Sequence, residues 1–280
     1  MKERGTAGVP STMTVPAMPF PDAERVQYDR NPLIEVICQV RFPPVLRIDS
    51  GVPADFQERI RASFPLFAEE EALTFPDLPS DLSEAIRASL RPQGAPRIWK
   101  FESADSTWTA RLTRESIALS THKYRRWEDF KSQFQAVFGA LQIEYRPSFI
   151  TRIGLRYQNQ IVRSGLGLAD VPWSDLLEEH VAAEFSSPNL DTAIQEAVHR
   201  VLIALPYHQS RVNLRHGIAQ MKGTNEITYM IDNDFFTQEK TEVAHALERL
   251  ELFHGESGRL FRWCITDRLH RAMGPVPFGE

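Results

Sequence analysis

Apolar and polar residues alternate through residues 33–42. Ile34, Val36, Cys38, Val40 and Phe42 share one parity, and Glu35, Gln39 and Arg41 the other. Period two marks a strand with one buried face, and Pro43-Pro44 ends it. Pro53 then opens a helix with Phe56, Ile60 and Phe64 at i, i+4 and i+8. Ser80 or Asp81 caps a second, short helix ending near Leu90. Three short strands follow: Arg97 to Phe101, then a run with Trp108, Ala110 and Leu112 alternating, then Ile117, Leu119 and Thr121 on one face. Trp127, Phe130, Phe134, Val137, Phe138 and Leu141 form the stripe of a long helix, and Pro147 lies beyond its end.

The order then recurs. Ile153, Leu155 and Tyr157 alternate with Arg152, Arg156 and Gln158 in a strand over residues 150–161. Pro172-Trp173-Ser174-Asp175 opens a helix through about Phe185. Residues 197–205, 211–220 and 226–234 read as three strands. The first also fits a helix through Ile194, Val198, Val201, Leu202 and Leu205, but the turn residues 206–210 favour the strand. A long helix runs from Glu242 to Met273, interrupted by Gly255 and Gly258, where a kink or a close helix contact is expected. Residues 28–147 and 148–274 thus each read β-α-β-β-β-α. The expected fold is α+β, an internal duplication sharing one antiparallel sheet or open barrel with the long helices packed on it. Residues 1–27, with four prolines among them, and residues 275–280 are expected to be loose tails.

Composition narrows the classes. The 280 residues are 42% hydrophobic with 28 aromatics, enough for a sizeable core. Net charge is −5, so broad nucleic-acid binding is not favoured, although a local basic patch is allowed. Two cysteines, Cys38 and Cys264, make no disulfide framework and read as buried thiols of a reducing compartment. No apolar segment follows Met1, and no run approaches the roughly 20 residues of a membrane helix. A cytoplasmic protein outside the membrane is expected.

Four patterns carry candidate chemistry. The strand parities place Gln39, Arg41, Arg152, Gly154, Arg156 and Gln158 on one polar sheet face. Arg211, Asn213 and Arg215 extend that row, and Asp232 and Asp234 supply counter-charges. Arginine forks suit carboxylates and phosphates; the alternative is a solvated face laced with Arg–Asp pairs. Gly154, between Arg152 and Arg156, leaves a gap that admits a ligand or a partner's backbone, or else a neighbouring side chain. Tyr124-Arg125-Arg126-Trp127 sets two arginines among aromatics, as in a base or phosphate clamp, or else starts a helix with Trp127 in the core. Asp232-Asn233-Asp234 sets two carboxylates on one side of a strand, and His208 and His216 share a parity if their hairpin has no bulge, but His245 and His254, nine apart, miss the i, i+4 spacing of a helical zinc pair; surface carboxylates and unrelated histidines are the favoured reading. Nucleophile elbows, Cys264 paired with His270, and glycine-rich phosphate loops fail on spacing. These readings favour a non-catalytic binding protein without cofactor or metal, taking a protein partner or an anionic ligand. An RNA-processing or RNA-binding protein with His122 or His216 as acid/base, and a small-molecule-binding barrel, are the alternatives.

The segment Asn31-Pro32-Leu33-Ile34-Glu35-Val36-Ile37-Cys38-Gln39-Val40-Arg41-Phe42-Pro43 resembles the opening signature of a sporadically distributed, uncharacterised bacterial protein family. Tyr124 to Phe130 resembles its second motif, Thr151 to Asn159 its third, and Ile265 to Leu269 with Met273 its last. The resemblance spans about residues 28–275. It implies a bacterial or mobile-element gene and is compatible with an operon-partner or phage-defence role. It implies no activity.

Overall fold

A computed structural model describes residues 18–71, 97–187, 190, 193–221, 223–224 and 226–277. The first half contains β1 (Val26–Tyr28), β2 (Leu33–Arg41), α1 (Ala54–Ile60), β3 (Leu66–Glu71), β4 (Arg97–Glu102), β5 (Trp108–Thr113), β6 (Ser116–Thr121) and α2 (Trp127–Tyr145). The second contains β7 (Arg152–Ile161), a short α3 (Glu179–Ala182), β8 (Val198–Ala204), β9 (Arg211–Gln220), β10 (Ile227–Thr237), α4 (Ala246–Cys264), α5 (Asp267–Ala272) and β11 (Pro275–Pro277). The fold is α+β.

Nine strands form one open antiparallel sheet in the order β3-β4-β5-β6-β2-β7-β10-β9-β8. Its centre is the β2–β7 pair, where Val36, Cys38 and Val40 stand opposite Tyr157, Leu155 and Ile153. All six are buried, on the face that carries α2 and α4. Helix α2 buries Trp127, Phe130, Phe134, Val137, Phe138 and Leu141, the stripe its sequence predicts. It ends at Arg146, whose left-handed φ of 46° is followed by Pro147.

The strand order reads outward from this pair in the same way on both sides. Leu33 and Arg152 open β2 and β7, and Trp127 and Ala246 open two 19-residue helices; each pair lies 119 positions apart (152 − 33 and 246 − 127). Carrying that alignment through the ladder registers matches β6 with β10, β5 with β9 and β4 with β8. Strand β3, which the sequence reading missed, has no counterpart beside β8 among the described residues.

Three expectations are revised. The last helix breaks at Ile265-Thr266, while Gly255 and Gly258 sit inside a continuous α4. Ile265 turns extended to bridge Leu177, and the Thr266 hydroxyl accepts from the Leu269 amide to cap α5. The helix expected over 172–185 is a succession of single turns around α3, with Trp173 and Phe185 packed on Tyr229 of β10 and His180 on Trp263 of α4. Neither terminal segment is loose throughout. Val26–Tyr28 pairs with Pro275–Pro277, and Phe20 is buried against Phe235 and Trp263, so residues 20–28 strap across α4. The short helix expected to end near Leu90 lies outside the described residues.

Gly217 interrupts β9 with a φ of 154°, and a Cβ there would stand 1.9 Å from the Ala197 carbonyl oxygen. Only glycine lets that backbone approach so closely. Gly217→Ala is expected to destabilise the fold by roughly 1–3 kcal/mol, measured by urea denaturation; an unchanged midpoint would mean that the β8–β9 junction relaxes freely.

Candidate functional site

Strand parity puts the predicted polar residues on the sheet face opposite the helices. There the central arginines are already neutralised. Arg156 forks onto Asp232 with two bonds of 2.7 Å. Arg152 donates to Asp234 at 2.9 Å and to Gln39 at 3.3 Å, and lies over the Phe236 ring at 5.2 Å. Arg41 pairs with Glu115 at 3.0 Å. The gap predicted at Gly154 is filled, since a Cβ there would meet the Arg152 guanidinium at 2.4 Å. Gly154 thus leaves space that the Arg152 guanidinium occupies, the second of the two readings that its position allowed. Gln158 stands between Glu35 and Asp232 in the ladder. Burial pushes the Asp234 carboxyl above its ordinary range, against the pull of Arg152 and Arg156. Further out, Arg211 and Arg215 are exposed.

A cleft of about 660 Å³ lies on the helix side. The 23–28 strap, the start of α2, the outer face of α4 and the end of β7 enclose it. Trp127 and His254 stack at 4.6 Å with rings 9° from parallel. The Tyr157 hydroxyl is hydrogen-bonded to Nδ1 of His254 at 2.9 Å, and Tyr124 meets Tyr157 edge-on at 5.8 Å. Trp127 Nε1 donates to Glu251 at 2.7 Å, and Lys131 pairs with the same carboxylate. Arg25 of the strap reaches Glu128 at 2.7 Å. Tyr28 packs on Phe261 and bonds His270 at 2.8 Å; burial holds its phenol up near pKa 12. Tyr124-Arg125-Arg126-Trp127 thus starts a helix and also walls a cleft. Trp127 is the core residue expected of a helix start, with Glu128 and Asp129 in the first turn. Arg126 is held by Asp129 at 2.9 Å, while Arg125 is exposed on the rim. Gly255 and Gly258 face the same space, and a Cβ on either would meet nothing within 4 Å.

Histidines cluster elsewhere. His199 and His216 stack at 5.0 Å. His199 bonds Glu184 at 2.9 Å, and His216 bonds the Tyr229 hydroxyl at 2.8 Å, which itself donates to the Val181 carbonyl at 3.2 Å. Tyr229 thereby fixes the proton of neutral His216 on Nδ1. His216 points to the helix side while Arg215 points to the open face. His122 is exposed, 3.9 Å from Glu35. His208 lies in a turn near Glu239, and His245 near Glu242 and Glu248. Among the described residues no three His, Cys, Asp or Glu side chains group as metal ligands. Cys38 and Cys264 are buried free thiols, both pushed up in pKa by burial. The sequence reading missed the cleft because its walls come from four distant segments. The mid-helix glycines Gly255 and Gly258 were the one local signal.

Trp127 is buried at the base of this arrangement. Trp127→Ala is expected to cost roughly 3–5 kcal/mol in urea titrations; a wild-type midpoint would remove it from the core. Burial lowers both His216 and His254 from 6.5 to about 4. Their unfolded forms take up protons below pH 6.5 that the folded forms refuse until about pH 4. The stability they contribute is therefore complete above pH 6.5 and lost as pH falls through 4. Replacing both by Phe is expected to flatten the stability profile between pH 7 and 4 by an amount on the order of 3 kcal/mol per site, read from urea midpoints at each pH. An unchanged slope would place the acid sensitivity on the carboxylates.

No protein-family model and no curated protein sequence matches this chain.

Proposed function

We propose that this chain is a non-catalytic binding protein whose ligand is a small molecule with a flat apolar body and one anionic group, held in the cleft between the strap, α2 and α4. The observation that carries this reading is the cleft itself. At about 660 Å³ it has the size of a ligand site, with aromatic walls and charged side chains of both signs around them. The Trp127–His254 stack offers a ring plane, and neutral His254 with Tyr157 offers a fixed hydrogen-bonding pair. Arg125 stands on the rim with no carboxylate partner among the described residues, a ready counter-charge for an anion. Two glycines in the middle of a helix cost roughly 1 kcal/mol each against alanine, and no packing neighbour accounts for them; the empty volume they leave belongs to the cleft. Asn31, Pro32 and Leu33, then Tyr124 to Glu128, then Tyr157 and Asn159 all line it. These come from three of the four segments that carry the family resemblance, which supports a shared role there. The anionic-ligand reading is kept, and its seat moves from the sheet face to the helix side. An operon-partner or phage-defence role remains a proposal on the resemblance alone.

The test uses 1-anilinonaphthalene-8-sulfonate, a flat apolar ring system with one sulfonate. The folded chain is expected to bind it saturably with enhanced fluorescence. Arg125→Ala should weaken binding by about tenfold, the scale of one charge-assisted bond. Gly255→Leu with Gly258→Leu should abolish it while stabilising α4. If the glycine variant melts at or above the wild-type temperature and still binds equally, the cleft is not the site.

A further inference from the structure

Like charges stand directly opposite each other at three places on the open sheet face. Lys100 faces Arg111, Arg41 faces Arg152, and Arg200 faces Arg215. Such pairs repel. Two of the three carry their own carboxylates. Glu70 sits between Lys100 and Arg111, at 3.4 and 2.8 Å. Glu115 and Asp234 serve Arg41 and Arg152. The third has none among the described residues. Arg200 donates only to the neutral Asn213, at 2.9 Å. Asp232, the ladder partner of Arg215, spends both oxygens on Arg156.

The repeat in the fold explains what is missing. Following the registers out from β2 and β7, Cys38 leads through Leu119 and Ala110 to Phe101, and its match Tyr157 leads through Asn233 and Leu214 to Val201. Lys100 therefore corresponds to Arg200, and Arg111 to Arg215. In the first half β3 pairs on β4, delivers Glu70 to the cations, and lays Phe67 on Phe101 at 5.5 Å. Phe101 is 0% exposed, whereas its match Val201 is 45% exposed, beside Val198 at 61% and Leu202 at 54%. Strand β8 ends the sheet with no outer partner among the described residues. Edge strands are normally short, charged or covered; this one is seven residues long and mostly apolar.

We infer that β8 is a docking edge for an extended segment of a protein partner, which adds antiparallel as a tenth strand and brings a carboxylate to Arg200 and Arg215. The register of β3 on β4 specifies the occupant. Phe67 opposes Phe101, and Glu70, three residues on, opposes Ile98, the match of Val198. The partner segment carries an apolar or aromatic residue over Val201 and an acidic one three positions later, opposite Val198. A second copy of β8 is disfavoured as occupant, because it brings another Arg200 and no carboxylate. This surface is independent of the cleft between the strap, α2 and α4.

The probe is a fluorescein-labelled peptide with the sequence of residues 66–71, Leu-Phe-Ala-Glu-Glu-Glu, which already has this pattern. Fluorescence anisotropy with the full chain is expected to show saturable binding. Arg200→Glu with Arg215→Glu, both on the surface, should weaken it by at least about tenfold. So should lysine in place of the fifth peptide residue. No saturable binding at millimolar peptide overturns the proposal. Equal binding of a scrambled peptide also overturns it, since charge alone would then suffice. A concentration-dependent dimer in sedimentation that Leu202→Asp dissolves assigns the edge to a second copy and overturns it too. The sulfonate titration of the cleft is unaffected by any of these outcomes.

Discussion

The molecule is built on the register of β2 against β7. Val36, Cys38 and Val40 meet Tyr157, Leu155 and Ile153 on one face, and all six are buried. Each such side chain contributes about 1.5–3 kcal/mol by leaving water. A slip of one residue would turn the whole set to the open face and drive Gln39, Arg41, Arg152 and Arg156 beneath the helices. The pair thus fixes which face receives α2 and α4 and which stays polar. It also fixes the outer strands, because each half of the sheet is laid down outward from it. Tyr157 carries the register into the helix layer through its bond to His254.

The polar face is held by local neutralisation. A sheet that sets cations opposite cations costs stability unless a carboxylate lies between them. Glu70, Glu115, Asp232 and Asp234 supply this over the centre and the first half. The pairs made by Glu70, Asp232 and Asp234 are part-buried, so losing one partner there costs more than the pair itself contributes. The opposed cations without a carboxylate between them among the described residues, Arg200 and Arg215, therefore lie toward the edge of the sheet. A net charge of −5 for the chain conceals this local excess.

The cleft depends on the strap. Asp22–Arg259 at 2.8 Å, Arg25–Glu128 at 2.7 Å and the Tyr28–His270 bond hold the 20–28 segment over α4. The β1–β11 pairing anchors its far end. Exposed ion pairs contribute little singly, so Phe20 and Tyr28, packed on Trp263 and Phe261, dominate the anchoring. The cleft is therefore a product of tertiary packing on both sides.

Periodicity alone specified most of the elements and the α+β class. Alternation identified β2, β5 and β7 and the apolar stripe identified α2, because these patterns are local and strong; the turn at 206–210 decided β8 against a helix. It also assigned both buried cysteines and the polar parity of the central arginines. Strand β3 escaped because Leu66-Phe67-Ala68-Glu69-Glu70-Glu71 has no alternation; it is a strand only because β4 offers it a ladder and Trp99 and Phe101 receive Phe67. Cross-strand neighbours are invisible to parity, so only the fold showed that Arg152 fills the space above Gly154 and that Asp232 belongs to Arg156. The cleft joins residues near positions 28, 125, 157 and 255, and no local pattern encodes contacts over such separations. What a side chain faces along its own strand is set by the two-residue repeat of the backbone. What it faces across the sheet or beneath a helix is set by register and packing, which exist only once the chain has folded.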